Sequence, residues 1–170
     1  MEWTTAPLTG SETIEMSFQK RFEALGDELP ESGKPGSNFF LPAITTGSLI
    51  FMSGQIPRRG DEILFQGRLG ETLSLEDGYA AARSCALNLL VQLKIACGGD
   101  LDRVARMIKL TVFVNSTPSF VDTSAVANGA SDLFMQIFGD NGRHTRSAIG
   151  MATLPRGVAV EVEAIAELKS

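Results

Sequence analysis

At 170 residues, with 44% apolar and 21% charged side chains, the chain has the size and composition of one globular domain with a sizeable core. A net charge of −5 argues against a nucleic-acid surface, which leans on Lys and Arg. No apolar run reaches the ~18 residues that span a bilayer, and the first 30 residues lack a basic start followed by an apolar stretch, so neither a membrane anchor nor a signal peptide is expected.

Residues 1–10 read as a disordered leader. Residues 13–25 mix apolar and charged side chains at helical spacing and stop at Gly26, which predicts a short amphipathic helix. Residues 27–38, rich in Pro, Gly and polar side chains, form a linker or a covering loop, so the chain divides into an N-terminal extension over 1–38 and a main domain over 39–170. Residues 39–44 and 48–53 predict two strands joined at Thr46-Gly47, followed by a turn over 58–61 and a third strand over 62–66. The glycine-punctuated loop at 67–70 matches neither a P-loop nor a dinucleotide fingerprint.

Ser74, with Asp77 three residues on, caps a long helix over 75–97 that stops at Gly98-Gly99. Ala82, Cys85, Leu89, Leu93 and Ala96 make an apolar stripe that belongs against a sheet. Cys85 and Cys97 stand about 18 Å apart along that helix, too far for a disulfide. Reduced cysteines suit a cytosolic protein. Because His144 is the only histidine, the usual zinc ligand sets are missing.

Residues 100–103 predict a helical turn and 104–115 a strand. Arg103, Arg106 and Lys109 come near to a basic patch, but alternation along a strand splits them between faces. Thr117-Pro118 fits an N-cap with proline at the first helical position of a second helix, ending at Phe138 before Gly139. A loop with an Asn141-Gly142 turn leads into a final β-hairpin, with Leu154-Pro155-Arg156-Gly157 as its connection. The order β-β-(β)-α-β-α-β-β predicts an α+β fold, one mixed sheet with helices on one face.

That hairpin carries Arg146, Glu161 and Glu163 on strands that otherwise look buried. A buried arginine needs an anion, and a buried carboxylate needs a partner or a proton. On a simple register Arg146, Ala148 and Gly150 share a face with Glu161 and Glu163, Arg146 and Glu161 being offset by roughly 13 Å. Arginine's planar fork suits a carboxylate, and a glutamate beside it can activate water or shuttle a proton. An ion pair of Arg146 with Glu161 or Glu163 that merely ties the hairpin together fits the same spacing. Ser53-Gly54-Gln55 ends a strand where backbone N–H groups can approach an anion, or is an ordinary strand end. Asn128, Asp132 and Gln136 form a polar stripe at i, i+4, i+8, solvated unless Asn128 holds a loop or a ligand. No serine or cysteine has a visible triad partner.

The segments SGQIP (53–57), KLTVFVNS (109–116) and RSAIGMATLPRGVAVEVEAIAE (146–167) resemble the Rid family, formerly called YjgF or the L-PSP endoribonuclease family. VANGASDLF and GRHTRSAIG are similar to its longer subfamily. The resemblance implies a chorismate-mutase-like fold assembled as a homotrimeric barrel, with helices outside and ligand sites in the clefts between subunits. It implies hydrolysis of reactive 2-imino or enamino acids to 2-keto acids and ammonia, without metal or organic cofactor. Carried over by position, Arg146 would grip the substrate carboxylate, Glu161 would orient the attacking water, Gly54 would give a backbone contact, and Asn128 would lie near the pocket. Phe40 stands where the deaminases have a tyrosine, and Ala148 where they have a cysteine. A small-carboxylate-binding trimer without turnover, and RNA cleavage, are the other activities in view; acidity and the lack of a histidine pair count against the second.

Overall fold

A computed structural model describes residues 16–26, 29–30 and 39–169. The expected leader over 1–10 lies outside these residues, as does most of the expected linker.

Helix α1, Phe18–Glu23, is capped by Ser17. It is shorter than the helix expected over 13–25, whose first three residues lie outside the description. Phe22 of α1 is buried, and the Phe18 ring meets Phe138 edge-on at 5.1 Å. Strands β1 (Ala43–Thr46) and β2 (Leu49–Gln55) follow, turning at Gly47. There φ of +58° favours a residue without a Cβ. The expected third strand is instead a two-residue ribbon, β3 (Arg58–Arg59) against β4 (Glu62–Ile63), separate from the main sheet.

Helix α2, Leu75–Ala96, starts at a complete capping box: Ser74 accepts from Asp77 N–H and Asp77 accepts from Ser74 N–H. Strand β5 spans Val104–Asn115 after a short 3-10 turn. Helix α3, Thr123–Phe138, starts five residues later than Thr117-Pro118 predicted. Thr117 instead shares a hydrogen bond with Ser119, and its carbonyl closes a turn with Phe120 N–H. Strands β6 (Thr145–Met151) and β7 (Val160–Leu168) complete the chain.

The five-stranded sheet has the order β1-β2-β7-β5-β6. β7 is antiparallel to β2 and β5, whereas β6 runs parallel to β5. The expected β6–β7 hairpin therefore does not exist. β5 lies between those two strands, and the connection through Pro155–Gly157 crosses the end of β5 instead of turning back on β6. The interposed strand has a physical reason. β5 is twelve residues long and rich in Val, Ile, Leu and Phe, and it satisfies backbone groups and buries side chains by pairing on both edges.

Both long helices pack on one face of this mixed sheet. Ile50, Met52, Leu110, Val112, Val114, Val160, Val162, Ala164 and Ala166 meet Cys85, Leu89 and Leu93 of α2 and Val126, Ala130, Leu133 and Ile137 of α3 in one core. α2 and α3 approach backbone to backbone at Gly129, where a Cβ would overlap the Tyr79 carbonyl oxygen and lie 3.2 Å from Arg83 N. The other face carries no helix. Ile44, Phe51 and Ile149 there are 56%, 42% and 42% exposed. Two bulges in β5 break its alternation, so Arg106 and Lys109 stand on this same face, opposite Glu167 and Ile165, and are not split as expected.

Candidate functional site

The strand register separates the two residues expected to face each other. Arg146 pairs with Leu110, and Leu110 with Ala164, so Arg146 belongs to the helix-covered face. Glu161 pairs with Phe113 and Glu163 with Thr111, residues of the open face. Arg146 and Glu161 thus occupy opposite faces, with β5 between their strands. The shared face derived from a hairpin is overturned, because a hairpin register does not survive an interposed strand. The simple Arg146–Glu161 or Arg146–Glu163 ion pair falls with it.

The structure forms two half-sites. The first surrounds Glu161. A bulge in β2 between Met52 and Gln55 sets Ser53 and Gly54 against β7. Gly54 lies directly under the Glu161 carboxylate, since a Cβ there would overlap Oε1 and lie 2.9 Å from Cδ. Phe40, Pro42, Gln55, Arg58, Asp61, Gln92, Arg156 and Glu161 line a cavity of about 710 Å³. The Glu161 side chain is half-buried, and its carboxylate makes no hydrogen bond or ion pair with the described residues. Burial raises its carboxyl above the ordinary value, and the charge of Glu163 raises it further. An unpaired, partly desolvated carboxylate on a cavity wall has the chemistry of a proton acceptor. Phe40 is 52% exposed at the mouth and offers a ring without a hydroxyl.

The second half-site is built on α3. Arg146 Nη1 donates to Asn128 Oδ1 at 2.9 Å and to Ser131 Oγ at 2.8 Å. Nη2 donates to the Ser124 carbonyl at 3.2 Å and to Ser124 Oγ at 2.9 Å. The Ser131 contact is partly buried; the other three are exposed. Ser131 Oγ also lies 3.0 Å from His144 Nε2, and His144 Nδ1 lies 2.6 Å from the Gly142 carbonyl. Ala148, two residues beyond Arg146, accepts from Thr123 Oγ1 through its carbonyl at 3.4 Å. Of the sequence candidates, Phe40, Gly54 and Glu161 come together, and Arg146, Ala148 and Asn128 come together elsewhere.

Asn128, Asp132 and Gln136 are all exposed, as a solvated stripe should be, and two of them also bond to α2. Asp132 accepts from the Tyr79 hydroxyl at 2.7 Å, and Gln136 accepts from Arg83, which ties α3 to α2. Ser124 and Ser131 went unnoticed in the sequence. Their spacing with Asn128, i, i+4, i+7, is the helical signal that places all three on one stripe. Arg58, Gln92 and Arg156 carried no local signal. Among the described residues no group of three or more His, Cys, Asp or Glu could hold a metal ion, and no helix is long and apolar enough to cross a membrane. Both cysteines are free and buried, with burial pushing the Cys97 thiol up to about 11.

A family model described as "YjgF/chorismate_mutase-like, putative endoribonuclease" matches residues 19–168. Protein TCP17 of Trypanosoma cruzi is 47% identical over 149 residues, covering 87% of this chain and 92% of that protein. The crystal structure of Atu1372 from Agrobacterium tumefaciens superposes with a TM-score of 0.81 at 39% identity, over 89% of this chain and 92% of that one. The Escherichia coli (strain K12) protein named "Putative reactive intermediate deaminase TdcF" is 30% identical over 131 residues, 75% of this chain and 84% of its own length. A crystal structure of E. coli TdcF with bound serine superposes with a TM-score of 0.53 at 27% identity, over 84% of this chain and 94% of that one.

Proposed function

Because the chain belongs to the YjgF/chorismate mutase-like family, we propose that it is a deaminase of reactive 2-imino and enamino acids, working at sites where two protomers of a homotrimer meet. The single observation that carries the reading is the split site. One protomer presents an unpaired carboxylate over a cavity and, on the other face of its sheet, a guanidinium ordered by a helix. Within one protomer Arg146 and Glu161 stand on opposite faces of the sheet and do not meet. A cyclic assembly that sets the α3–β6 edge of one copy against the Glu161 cavity of the next brings them together, and the apolar open face supplies the contact. The serine bound to TdcF is itself a small amino acid with a carboxylate, in keeping with such a ligand.

In this assembly the carboxylate of the substrate takes the exposed edge of Arg146, exchanging with the Ser124 hydroxyl, in a planar two-point contact. Gly54 lets the imine carbon approach the Glu161 carboxylate, and Ala148, Asn128 and Phe40 shape the remaining wall. Glu161 removes a proton from water as the oxygen attacks the imine carbon, giving a carbinolamine. The same carboxyl then returns that proton to nitrogen. Glu161 then takes the hydroxyl proton and passes it to the nitrogen as the C–N bond breaks, so that the keto acid forms and ammonia leaves. The cleft holds the reactants in attack geometry, and desolvation strengthens Glu161 as a base.

Subunit complementation tests the arrangement. Arg146→Ala and Glu161→Gln are each expected to be inactive in ammonia release from freshly generated imino acids. When the two are unfolded and refolded together at equal amounts, about one site in four combines an intact arginine with an intact glutamate. About a quarter of the wild-type rate is therefore expected. No recovery rejects the shared site.

A second reading rests on Arg58 and Arg156, which line the Glu161 cavity within one protomer, while α3 already occupies the four terminal donors of Arg146. There a small carboxylate is held without Arg146. Full activity, or full 2-keto acid binding, of Arg146→Ala selects it. Saturable binding with no turnover across an imine panel assigns the trimer a binding role instead.

A further inference from the structure

Building on the reading of Arg146 as the carboxylate anchor, we propose that His144 is a positioning residue for that arginine and acts through the hydroxyl of Ser131. The bonds among them have one consistent direction. A carbonyl only accepts, so the ring nitrogen 2.6 Å from Gly142 O, Nδ1, carries the hydrogen. In the neutral imidazole Nε2 is then an acceptor, and Ser131 Oγ, 3.0 Å away, donates to it. A hydroxyl has a single hydrogen. Ser131 therefore meets Arg146 Nη1, at 2.8 Å, with a lone pair. Arg146 donates to Ser131, Ser131 to His144, and His144 to Gly142.

Each end of this chain is fixed. Gly142 is pressed on α3 so closely that a Cβ would overlap Phe134 O and lie 2.7 Å from Phe134 C, which holds its carbonyl in place. The Phe134 ring stands edge-on to the imidazole, 6.4 Å away at 74°. Burial, with the charge of Arg146 beside it, outweighs the Gly142 hydrogen bond and holds the ring below its ordinary pKa, which favours the neutral form. At the other end, the Ser131 contact is the partly buried one of the four that Arg146 makes. A carboxylate arriving at the exposed edge exchanges with Ser124 and leaves this contact in place. Without the Nε2 acceptor the Ser131 hydrogen has no fixed partner, and the lone pair that receives Arg146 Nη1 loses its fixed orientation.

The role separates cleanly from packing. Phenylalanine at 144 keeps a ring beside Phe134 and removes both polar atoms. Glutamine keeps an acceptor in place of Nε2 and removes the ring. With pyruvate, the smallest 2-keto acid, as probe at pH 8, NMR titration is expected to give His144→Gln a Kd within about threefold of wild type. His144→Phe and Ser131→Ala weaken binding by about tenfold, with thermal melting reporting that each variant folds. Because the chain has one histidine, a long-range 1H–15N spectrum of the wild type reads its tautomer directly, and Nδ1–H is expected. Wild-type affinity in His144→Phe, equal losses in the Gln and Phe variants, or an Nε2–H tautomer overturns the proposal. Failure of the wild type to bind pyruvate overturns the anchor reading itself and takes the proposal with it; that outcome differs from all three others.

Discussion

Replacing Gly54 by alanine moves the Glu161 carboxylate while leaving the sheet almost untouched. The backbone at Gly54 does not lie in the left-handed region, so alanine fits its conformation. The obstacle is the side chain above it. A Cβ would stand 2.9 Å from Glu161 Cδ, against about 3.5–4.0 Å for carbon atoms in ordinary contact. The carboxylate must retreat by about 1 Å. It is the far end of a flexible side chain beside an open cavity, so the retreat costs little and stability is expected to change by under about 1 kcal/mol. The same displacement at a reacting group costs on the order of 100-fold in rate, about 2.7 kcal/mol of activation free energy. The assay is kcat/KM for ammonia release, run beside thermal unfolding of the same preparation. A rate within about threefold of wild type in a folded Gly54→Ala protein refutes the placement of Glu161 in the reaction.

Glu163→Gln removes the charge that helps to raise the Glu161 carboxyl, which then falls toward its ordinary value. Because the base must be ionised, the acid limb of the kcat/KM profile is expected to move to lower pH, and an unmoved limb would separate Glu163 from the site. Gly129→Ala meets backbone atoms of Tyr79 and Arg83 in place of a mobile tip. It is expected to destabilise by about 1–3 kcal/mol and lower Tm by several degrees, measured by calorimetry; an unchanged Tm would show that α2 and α3 are free to separate.

The sequence reading located most elements, because their signals are local. The capping box at Ser74 and Asp77 begins α2 where expected, and β5 spans the residues expected of it. Gly139 ends α3 with φ of +58°. The expected hairpin failed because it was judged from the 155–157 turn alone. Which strand occupies the gap between β6 and β7 depends on β5, some forty residues earlier in the chain, and no local pattern reports that. The later start of α3 has a related cause: Thr117-Pro118 has the right chemistry for an N-cap, but Thr117 N–H is drawn to the Leu69 carbonyl, a contact from a distant loop. Arg146 and Glu161 stood out as charges on apolar strands; α3 holds Arg146, whereas the Glu161 carboxylate stands unpaired on a cavity wall. What joins Ser131 to Arg146 is a helix packed over a strand edge, visible only once α3 lies on the sheet.

The anchoring of Arg146 along α3 has a thermodynamic consequence. Four contacts from one helix immobilise its terminal nitrogens as part of folding. An unrestrained arginine surrenders roughly 1.5–2 kcal/mol of rotamer entropy when it is fixed. A ligand that docks on a guanidinium already held does not bear that loss. On the proposed reading of Arg146 as an anchor, the helix sets how tightly a small anion is retained, and changes along its outer stripe would adjust affinity without redrawing the cleft.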